Sequence, residues 1–348
     1  MISKKIQLPR EIHIGSGIIN EIGNICSSFK KGDNILIVSG KNTFEIAGHS
    51  AKDNLESNNF NVEKILIKQA NWESINKVKN NLDNISLILG IGGGKVIDVA
   101  KMAATGTDID FISVPTAASH DGIASPRASI KDRNNATSLE AKSPISIIAD
   151  TEIIAKAPFK LLVAGYGDII SNYSAILDWK LSNRLLNEHY SEYAASLSLM
   201  SAKMMIDSAD IIKNRLDESA RLIVKALISS STAMIVSGNS RPASGAEHKF
   251  SHALDQIAPK SALHGEQCGV GTIMMMCLHG QNWKFIKESL KKVNAPTTAE
   301  ELNIDEEYII EALTNAHNIR RERYTILGDR GLTKKAAENL AIKTGVIN

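Results

Sequence analysis

The 348-residue chain is 43% hydrophobic and 22% charged, which is typical of a globular protein and excludes a disordered or fibrous one. Its formal net charge of +2 predicts no strong attraction to nucleic acid or an acidic membrane. The longest apolar stretches are far short of the roughly 20 residues that span a bilayer, so we expect no membrane insertion. Three widely spaced cysteines and an N-terminal segment without an apolar core, MISKKIQLPREIHIG, indicate a cytoplasmic protein without disulfides or a signal peptide.

The first part of the chain alternates strand and helix signals. Short β-branched apolar runs predict strands buried on both faces, and the polar or periodic segments between them predict helices. This alternation is typical of a parallel, doubly wound, Rossmann-like sheet. Residues 6–15 predict an added edge strand, because Pro9 suits an edge better than a centre, and residues 131–143 predict a hairpin or an exposed loop. The predicted strands are 35–39, 64–68, 86–94, 110–116 and 145–150, and the predicted helices are 42–58, 72–83 and 95–105.

The second part of the chain has a different character. From Asp168 to Ser237 the sequence contains neither glycine nor proline, and leucine, isoleucine, alanine and methionine recur at helical spacing. Few segments of that length lack both residues unless they are mostly helical. We therefore predict two domains, an α/β domain over residues 1–159 and an all-helical domain over residues 160–348.

Glycines cluster where the third predicted strand meets a helix. Gly90, Gly92, Gly93 and Gly94 would let the backbone approach a pyrophosphate, whose charge the N–H groups at the helix N-terminus would hold. The spacing is not the GxGxxG fingerprint, and no acidic residue ends the next strand to bind a ribose. A tight turn without a ligand is the alternative interpretation.

A second loop rich in small and hydroxyl residues follows the fourth predicted strand. It reads SVPTAASHDGIASPRASI, residues 113–130. Loops at the carboxyl ends of parallel strands build ligand crevices, and hydroxyl groups there can bond a phosphate or a carboxamide. A turn-rich loop that caps helices is the structural alternative.

Candidate metal ligands lie in the helical part. In GAEHKFSHALD, His248 and His252 are four residues apart, which on a helix places both imidazoles on one face. His264 follows in LHGEQCG, and Asp168 lies earlier in GYGDIIS. Two or three imidazoles with one carboxylate suit a zinc site with an open coordination position. Cys268 could be a further ligand, although a small buried hydrophobic residue is the simpler interpretation.

These segments, in this order, resemble the iron- or zinc-dependent polyol dehydrogenase superfamily, which includes glycerol dehydrogenase and dehydroquinate synthase. Within it the sn-glycerol-1-phosphate dehydrogenases are the most similar, chiefly through SHDGIASPRAS. The resemblance covers most of the chain and implies a dehydroquinate synthase-like architecture. The segments that carry it are GIGGGKVIDVAK (90–101), SVPTAASHDGIASPRASI (113–130), GYGDIIS (165–171), SRPASGAEHKFSHALD (240–255) and HGEQCGVG (264–271).

The resemblance also implies roles for individual residues. Asp168, His248 and His264 would bind one divalent metal ion, Zn²⁺ being the first expectation and nickel or iron the alternatives. Asp121, His252 and Asp168 would contact the substrate, and Asp121 and His252 would be catalytic, with His252 as a proton relay because an imidazole titrates near neutral pH. NAD(H) or NADP(H) would be held by Gly92, Gly93, Gly94, Lys95, Val96, Ile97 and Asp98 at the pyrophosphate, and by Thr116, Ala117, Ala118, Ser119 and Ser125 on the nicotinamide side.

The implied reaction is the NAD(P)H-dependent reduction of dihydroxyacetone phosphate to sn-glycerol-1-phosphate, a precursor of archaeal-type ether lipids. The metal is expected in a cleft between the two domains, and a homo-oligomer is expected. Arg127 and Arg241 are candidates for the substrate phosphate, and Lys41 for an NADP 2′-phosphate. A polyol dehydrogenase for unphosphorylated substrates, a cyclising enzyme like dehydroquinate synthase and a non-catalytic nucleotide-binding protein are the alternatives.

Overall fold

The structure is a computed structural model that describes residues 6–29, 31–132 and 135–348. It divides into two compact units, Met1–Leu162 with Arg215–Val224, and Val163–Asn214 with Lys225–Asn348. The first of these breaks lies close to the proposed domain boundary at residue 160. The segment Arg215–Val224 belongs with the first unit, which no sequence signal indicates.

A six-stranded parallel sheet forms the centre of the first unit, with the strand order β1-β8-β5-β4-β2-β3. The doubly wound sheet is confirmed, and β1 lies at its edge with Pro9 just before it. The strands are β1 Glu11–Gly15, β2 Asn34–Ser39, β3 Asn61–Leu66, β4 Leu87–Gly92, β5 Asp110–Pro115, β6 Arg127–Asp132, β7 Asn135–Glu140 and β8 Ser146–Asp150.

Strands β6 and β7 form a separate antiparallel hairpin, so the hairpin alternative for residues 131–143 is the correct one. Arg133 and Asn134, which fall inside that prediction, lie outside the described residues. Met1–Lys5, part of the segment used to predict that there is no signal peptide, also lie outside them.

Helices cover the sheet of the first unit. Strands β4 and β5 are buried along their whole length, as expected of parallel strands covered on both faces. Side chains such as Ile37, Leu89 and Ile112 lie in the apolar core. The helices are α1 Ile22–Ser27, α2 Lys41–Thr43, α3 His49–Ser57, α4 Trp72–Lys79, α5 Gly94–Ala104 and α6 Thr151–Lys156, with a π-helical segment, Phe44–Gly48, between α2 and α3.

Helices also make up the rest of the chain, and the described residues of 160–348 contain no strand. The all-helical prediction is therefore confirmed. These helices are α7 Phe159–Ile170, α8 Asn172–Leu186, α9 Glu192–Asp207, α10 Ala209–Ile212, α11 Asp217–Ser237, α12 Ala246–Ile257, α13 His264–Leu278, α14 Trp283–Lys292, α15 Ala299–Leu302, α16 Glu306–Asn315 and α17 Lys334–Lys343.

Helix α11 is long and apolar enough to cross a membrane by length and composition alone, although no unbroken apolar run in it reaches that length. In the structure, however, 67% of its most apolar window is buried inside the protein. Burial of that extent is what a core helix of a globular unit shows.

Candidate active site

The glycine-rich turn joins β4 to α5 at the carboxyl edge of the sheet. Gly92 pairs with Pro115 of β5, and the N–H of Thr116 donates to the carbonyl of Gly92 at 3.0 Å. Gly93 precedes α5 and offers no side chain as a cap. A Cβ built on Gly93 would meet no atom within 4 Å, so space lies open beside the turn. The first N–H groups of a helix have no partner within it, which suits an anion at this position.

The strand order reverses direction beside this turn. From β2 the chain runs to β3 on one side and then to β4 on the other, so β2 and β4 flank the switch point of the sheet. Ligands of open α/β sheets bind at such switch points. Lys41, the first residue of α2, follows β2 at this point and is exposed to solvent.

Asp98 and Lys101 form a buried polar connection below the turn. The Asp98 carboxylate accepts the N–H of Ser129 at 3.1 Å, and the Lys101 ammonium donates to the carbonyls of Gly122 and Arg127 at 2.7 and 2.6 Å. Burial raises the pKa of Asp98 and lowers that of Lys101. The two side chains therefore tie α5 to the loop and the hairpin, and Oδ1 of Asp98 has no hydrogen-bond partner among the described residues.

Residues 116–125 lie at the same edge of the sheet as the glycine turn. Thr116, Ala117 and Ala118 are buried, and Ser125 is fully buried. The Ser125 hydroxyl has no hydrogen-bond partner among the described residues. An unpartnered buried hydroxyl is costly, so it is suited to bond a ligand such as a carboxamide. Asp121 is half-buried, and its carbonyl accepts the N–H of Ser125 at 3.0 Å.

Four potential metal ligands converge within the helical unit. Asp168 comes from α7, His248 from α12, and His264 and Cys268 from α13, and their ligand atoms all lie within 4.8 Å of one another. The Oδ1 atom of Asp168 lies 3.7 Å from Nε2 of His248 and 3.9 Å from Nε2 of His264. Such separations fit one cation held at about 2.0–2.2 Å from each atom. The three ligands that the resemblance implies are thus brought together.

The second nitrogen of each histidine has a hydrogen-bond partner. Nδ1 of His248 lies 2.9 Å from Oε1 of the fully buried Glu247, and Nδ1 of His264 lies 3.1 Å from the Ser251 hydroxyl. Glu247 in turn accepts the Ser174 hydroxyl at 2.7 Å. Burial opposes the charge of Glu247, but its contact with His248 lowers the pKa of the carboxyl overall. Fixing Nδ1 leaves Nε2 of both rings for a metal, an arrangement that metal-binding histidines commonly show.

Glycines next to the ligands let α7 and α13 approach closely. A Cβ on Gly265 would lie 1.8 Å from the Ala164 carbonyl oxygen, and one on Gly167 would lie 2.3 Å from the Gly265 carbonyl oxygen. Gly167 directly precedes Asp168, and Gly265 directly follows His264. Their missing side chains therefore bring the carboxylate and the imidazole together.

Cys268 lies one helical turn after His264, with its sulfur 3.6 Å from Nε2 of that ring. The side chain is fully buried, and burial raises the pKa of the thiol to about 11. The free thiol is therefore neutral when no cation is bound, whereas a bound cation would favour the thiolate. Cys268 thus stays a candidate fourth ligand beside the three that the resemblance implies.

His252 stacks on His264 with 5.5 Å between ring centroids. Its Nδ1 is buried and has no hydrogen-bond partner in the described part of the chain. Burial, and then the charges of His248, Arg320 and Arg323, lower the pKa of His252 to about 3. The imidazole is therefore neutral near pH 7. The reason for expecting a proton relay, titration near neutrality, does not hold here, but a neutral ring can still bond a substrate.

The two arginines expected at the substrate phosphate have other partners. Arg127 donates from Nε and Nη2 to the hydroxyl and carbonyl of Ser138 in the hairpin, at 3.2 and 2.6 Å. Arg241 is buried, pairs with Glu188 and donates to the Tyr324 carbonyl at 2.8 Å. Glu188 neutralises Arg241, so we do not assign Arg241 to the phosphate. The acceptors of Arg127 are neutral, so its assignment stays a prediction.

Sequence reasoning missed the residues that support the site. Glu247 directly precedes a candidate ligand, and an acidic residue beside a histidine is a signal that could have found it. Lys101 lies one helical turn after Asp98 in an otherwise apolar segment, a second usable signal. Nothing in the sequence shows that Gly265 packs against α7, because that contact joins distant parts of the chain.

The chain is similar to known dehydrogenases. Residues 13–158 match the iron-containing alcohol dehydrogenase family. The glycerol-1-phosphate dehydrogenase [NAD(P)+] of Methanothermobacter thermautotrophicus is 63% identical over 100% of both chains. The enzyme of the same name from Methanosphaera stadtmanae is 58% identical over 99% of both chains.

The fold has solved counterparts. The crystal structure of glycerol dehydrogenase from Schizosaccharomyces pombe superposes with a TM-score of 0.81, covering 100% of this chain and 94% of that one. The sequence identity is 19%, so this likeness supports the architecture alone.

Proposed function

Because the chain belongs to the glycerol-1-phosphate dehydrogenase family, we propose that it reduces dihydroxyacetone phosphate to sn-glycerol-1-phosphate with a reduced nicotinamide cofactor. The family membership follows from relatives that are 63% and 58% identical along almost the whole chain. The observation that carries the proposal is the convergence of Asp168, His248 and His264, whose Nε2 and carboxylate atoms face one point. The reaction takes up one hydride at C2 of the ketone and one proton at its oxygen.

The metal centre would be formed by Asp168, His248 and His264, with Zn²⁺ as the proposed ion. A divalent cation held there would act as a Lewis acid on the substrate carbonyl. Glu247 and Ser251 would accept the Nδ1–H of the two histidines, which would leave Nε2 of each ring for the cation. His252, as a neutral ring, and Asp121 would contact the substrate.

The cofactor would bind along the carboxyl edge of the sheet. The N–H groups at residues 93–95 would hold the pyrophosphate, and Thr116, Ser119 and Ser125 would line the nicotinamide, which supplies the hydride. The exposed Lys41 lies at the switch point, where it would tolerate the 2′-phosphate of NADP as well as the hydroxyl of NAD. We therefore propose that both cofactors are used.

The biological setting is part of the same proposal. The product would provide the glycerophosphate backbone of archaeal-type ether lipids, made by a cytoplasmic homo-oligomer. The relatives' shared name supports the reaction, and the setting is proposed from the family resemblance.

Oxidation of NADH and of NADPH, followed through the absorbance of the reduced nicotinamide, tests the proposal. Each cofactor is assayed with dihydroxyacetone phosphate and with dihydroxyacetone, before chelation, after chelation and after Zn²⁺ is restored. We expect chelator-sensitive turnover of the phosphorylated ketone, and chiral analysis should identify sn-glycerol-1-phosphate. Turnover of dihydroxyacetone alone would instead indicate a polyol dehydrogenase, and no net oxidation with either ketone would contradict the proposal.

A further inference from the structure

Lys249 carries a buried positive charge without a partner. It lies on α12 between His248 and His252, and its residue is only 3% exposed. Its ammonium group makes no hydrogen bond or ion pair with any described residue. Lys101, which is also buried, is by contrast held by two carbonyls at 2.7 and 2.6 Å. A buried charge is costly unless it is paired, so Lys249 is suited to an anion from outside the chain.

Arg323 is a second cation without a carboxylate partner in the described part of the chain. Its Nη1 donates to the Ser244 carbonyl and its Nη2 to the Ser240 hydroxyl, each at 2.7 Å. Both acceptors are neutral, so they orient the guanidinium plane without cancelling its charge. Other N–H donors of the group remain for a ligand, because a guanidinium carries five. Arg241 nearby differs, since Glu188 neutralises it.

A tight turn adds a third positive charge. The N–H of Arg323 donates to the carbonyl of Arg320 at 2.8 Å, and Arg320 has a φ of 45°, in the left-handed region. Residues other than glycine adopt that conformation at a cost. The turn brings the two guanidinium groups close enough for the charge of Arg320, after burial, to help lower the pKa of Arg323 to about 9.

The charges of Arg320 and Arg323 act on His252. After burial, the charges of Arg320 and Arg323 help lower the pKa of His252, and the charge of Arg323 acts on Lys249 in the same direction. The nearby carboxylate of Asp178 is engaged elsewhere, since it accepts the N–H groups of Ala246 and Ile326 at 2.7 Å each. Lys249 itself makes no hydrogen bond or ion pair with any described residue, so its charge stays available to a ligand beside the metal ligand His248.

We propose that Lys249 and Arg323 bind the phosphate group of the substrate, and that they set the preference for a phosphorylated over an unphosphorylated ketone. A phosphate monoester carries a charge of about −1.5 to −2 near pH 7, which matches two unpaired cations. The phosphate of dihydroxyacetone phosphate is separated from the reacting carbonyl by one methylene and one oxygen. It must therefore lie close to the metal ligands, and Lys249 directly follows one of them, His248, on α12. This inference rests on the proposed function.

The test compares Lys249→Met, Lys249→Arg and Arg323→Gln with wild type. Lys249→Met keeps the length of the side chain and removes a buried unpaired charge, so the variant should fold. We expect the KM for dihydroxyacetone phosphate to rise about 100-fold in Lys249→Met and in Arg323→Gln, with kcat changed much less. Inorganic phosphate, used as a competitive inhibitor of wild type, should lose its effect in both. Lys249→Arg should recover part of the affinity because the charge returns.

The exposed Lys260 just beyond α12 supplies the matched control, and Lys260→Met should behave as wild type. Zinc content and NADH affinity, measured on each variant, should be unchanged. The inference is overturned if the charge-removing variants keep the wild-type KM and phosphate inhibition, or if they lose zinc in parallel with activity. If the proposed function fails, wild type itself will not oxidise NADH with dihydroxyacetone phosphate. The role of Lys249 can still be tested in that case, because calorimetry measures whether wild type binds phosphate and whether Lys249→Met does not.

Discussion

Glycines in the two units have opposite surroundings. A Cβ on Gly93, at the start of α5, would meet nothing within 4 Å, whereas one on Gly265 would lie 1.8 Å from the Ala164 carbonyl oxygen. The first glycine leaves space that a ligand can occupy, and the second removes space so that two helices can touch. A glycine in a motif therefore marks either a ligand contact or a helix contact, and only packing tells which.

The two candidate sites differ in the same way. The cofactor side uses backbone N–H groups and missing side chains, so it depends on local chain geometry. The metal side uses side chains from α7, α12 and α13, which are held by Gly167, Gly265 and the buried Glu247. Changes to the metal side should therefore affect stability and metal binding together, and changes to the cofactor side should affect nicotinamide alone.

The largest effect is expected from Gly265→Ala. The added methyl would meet a backbone carbonyl, which cannot swing aside as a side chain would, so α13 must move away from α7. We expect unfolding to become easier by about 3 kcal/mol, with loss of most bound zinc. Thermal unfolding and metal analysis measure these changes.

Gly269→Ala is the matched control on the same helix. Its methyl would lie 3.3 Å from a terminal carbon of Leu290, a flexible neighbour that can give way. This variant should therefore lose much less stability and retain zinc. Equal losses in the two variants would show that close backbone contact at Gly265 does not position the ligands.

A smaller effect is expected from Glu247→Gln. The substitution keeps the size of the side chain and the contact with Ser174, but His248 loses an anionic partner for Nδ1. Zinc affinity should fall by about 10- to 100-fold, as is usual when the hydrogen-bond partner of a metal-binding histidine is removed. Titration against a chromophoric chelator measures it.

Ser251→Ala gives the comparison at the other histidine. His264 has a neutral partner in Ser251, so the loss of zinc affinity there should be smaller than in Glu247→Gln. If both substitutions weaken zinc equally, the charge of Glu247 makes no separate contribution.

The sequence predicts the fold well where signals are local. The runs ILIVS and DFISVPT are β-branched because β2 and β5 are buried on both faces, and the structure places strands there. Element ends are less well predicted, since the helix expected over 72–83 ends at Lys79 in the structure. Helix ends depend on capping and tertiary contacts more than on periodicity.

In the candidate site, too, the sequence predicts the residues that stand in local motifs and misses those that depend on tertiary contacts. Asp168, His248 and His264 stand in motifs that the family resemblance identifies, and the structure brings them together. Lys249 and Arg323 could not be found in this way, because the inference about them depends on finding no carboxylate paired with either among the described residues. The sequence suggested Arg241 instead. Its ion pair with Glu188 joins residues far apart in the chain, so the sequence does not reveal it.

The smallest effect on the whole molecule, and the most selective, is expected from Gly93→Ala. Gly93 has φ −77° and ψ −178°, an extended conformation that alanine adopts readily, and its methyl would project into open space. Unfolding should therefore be unchanged or harder by about 0.4–1 kcal/mol, because alanine restricts the unfolded chain. The KM for NADH should nevertheless rise about 10-fold, which corresponds to about 1.4 kcal/mol, since the methyl would stand where the pyrophosphate approaches the backbone.

Gly15→Ala at the end of β1, where a methyl would only touch Ile18 at 4.0 Å, should leave the KM unchanged. An unchanged KM in Gly93→Ala would mean that the open space beside the turn is not the cofactor site. Gly93 would then belong to a tight turn without a ligand, the alternative that the sequence alone left open.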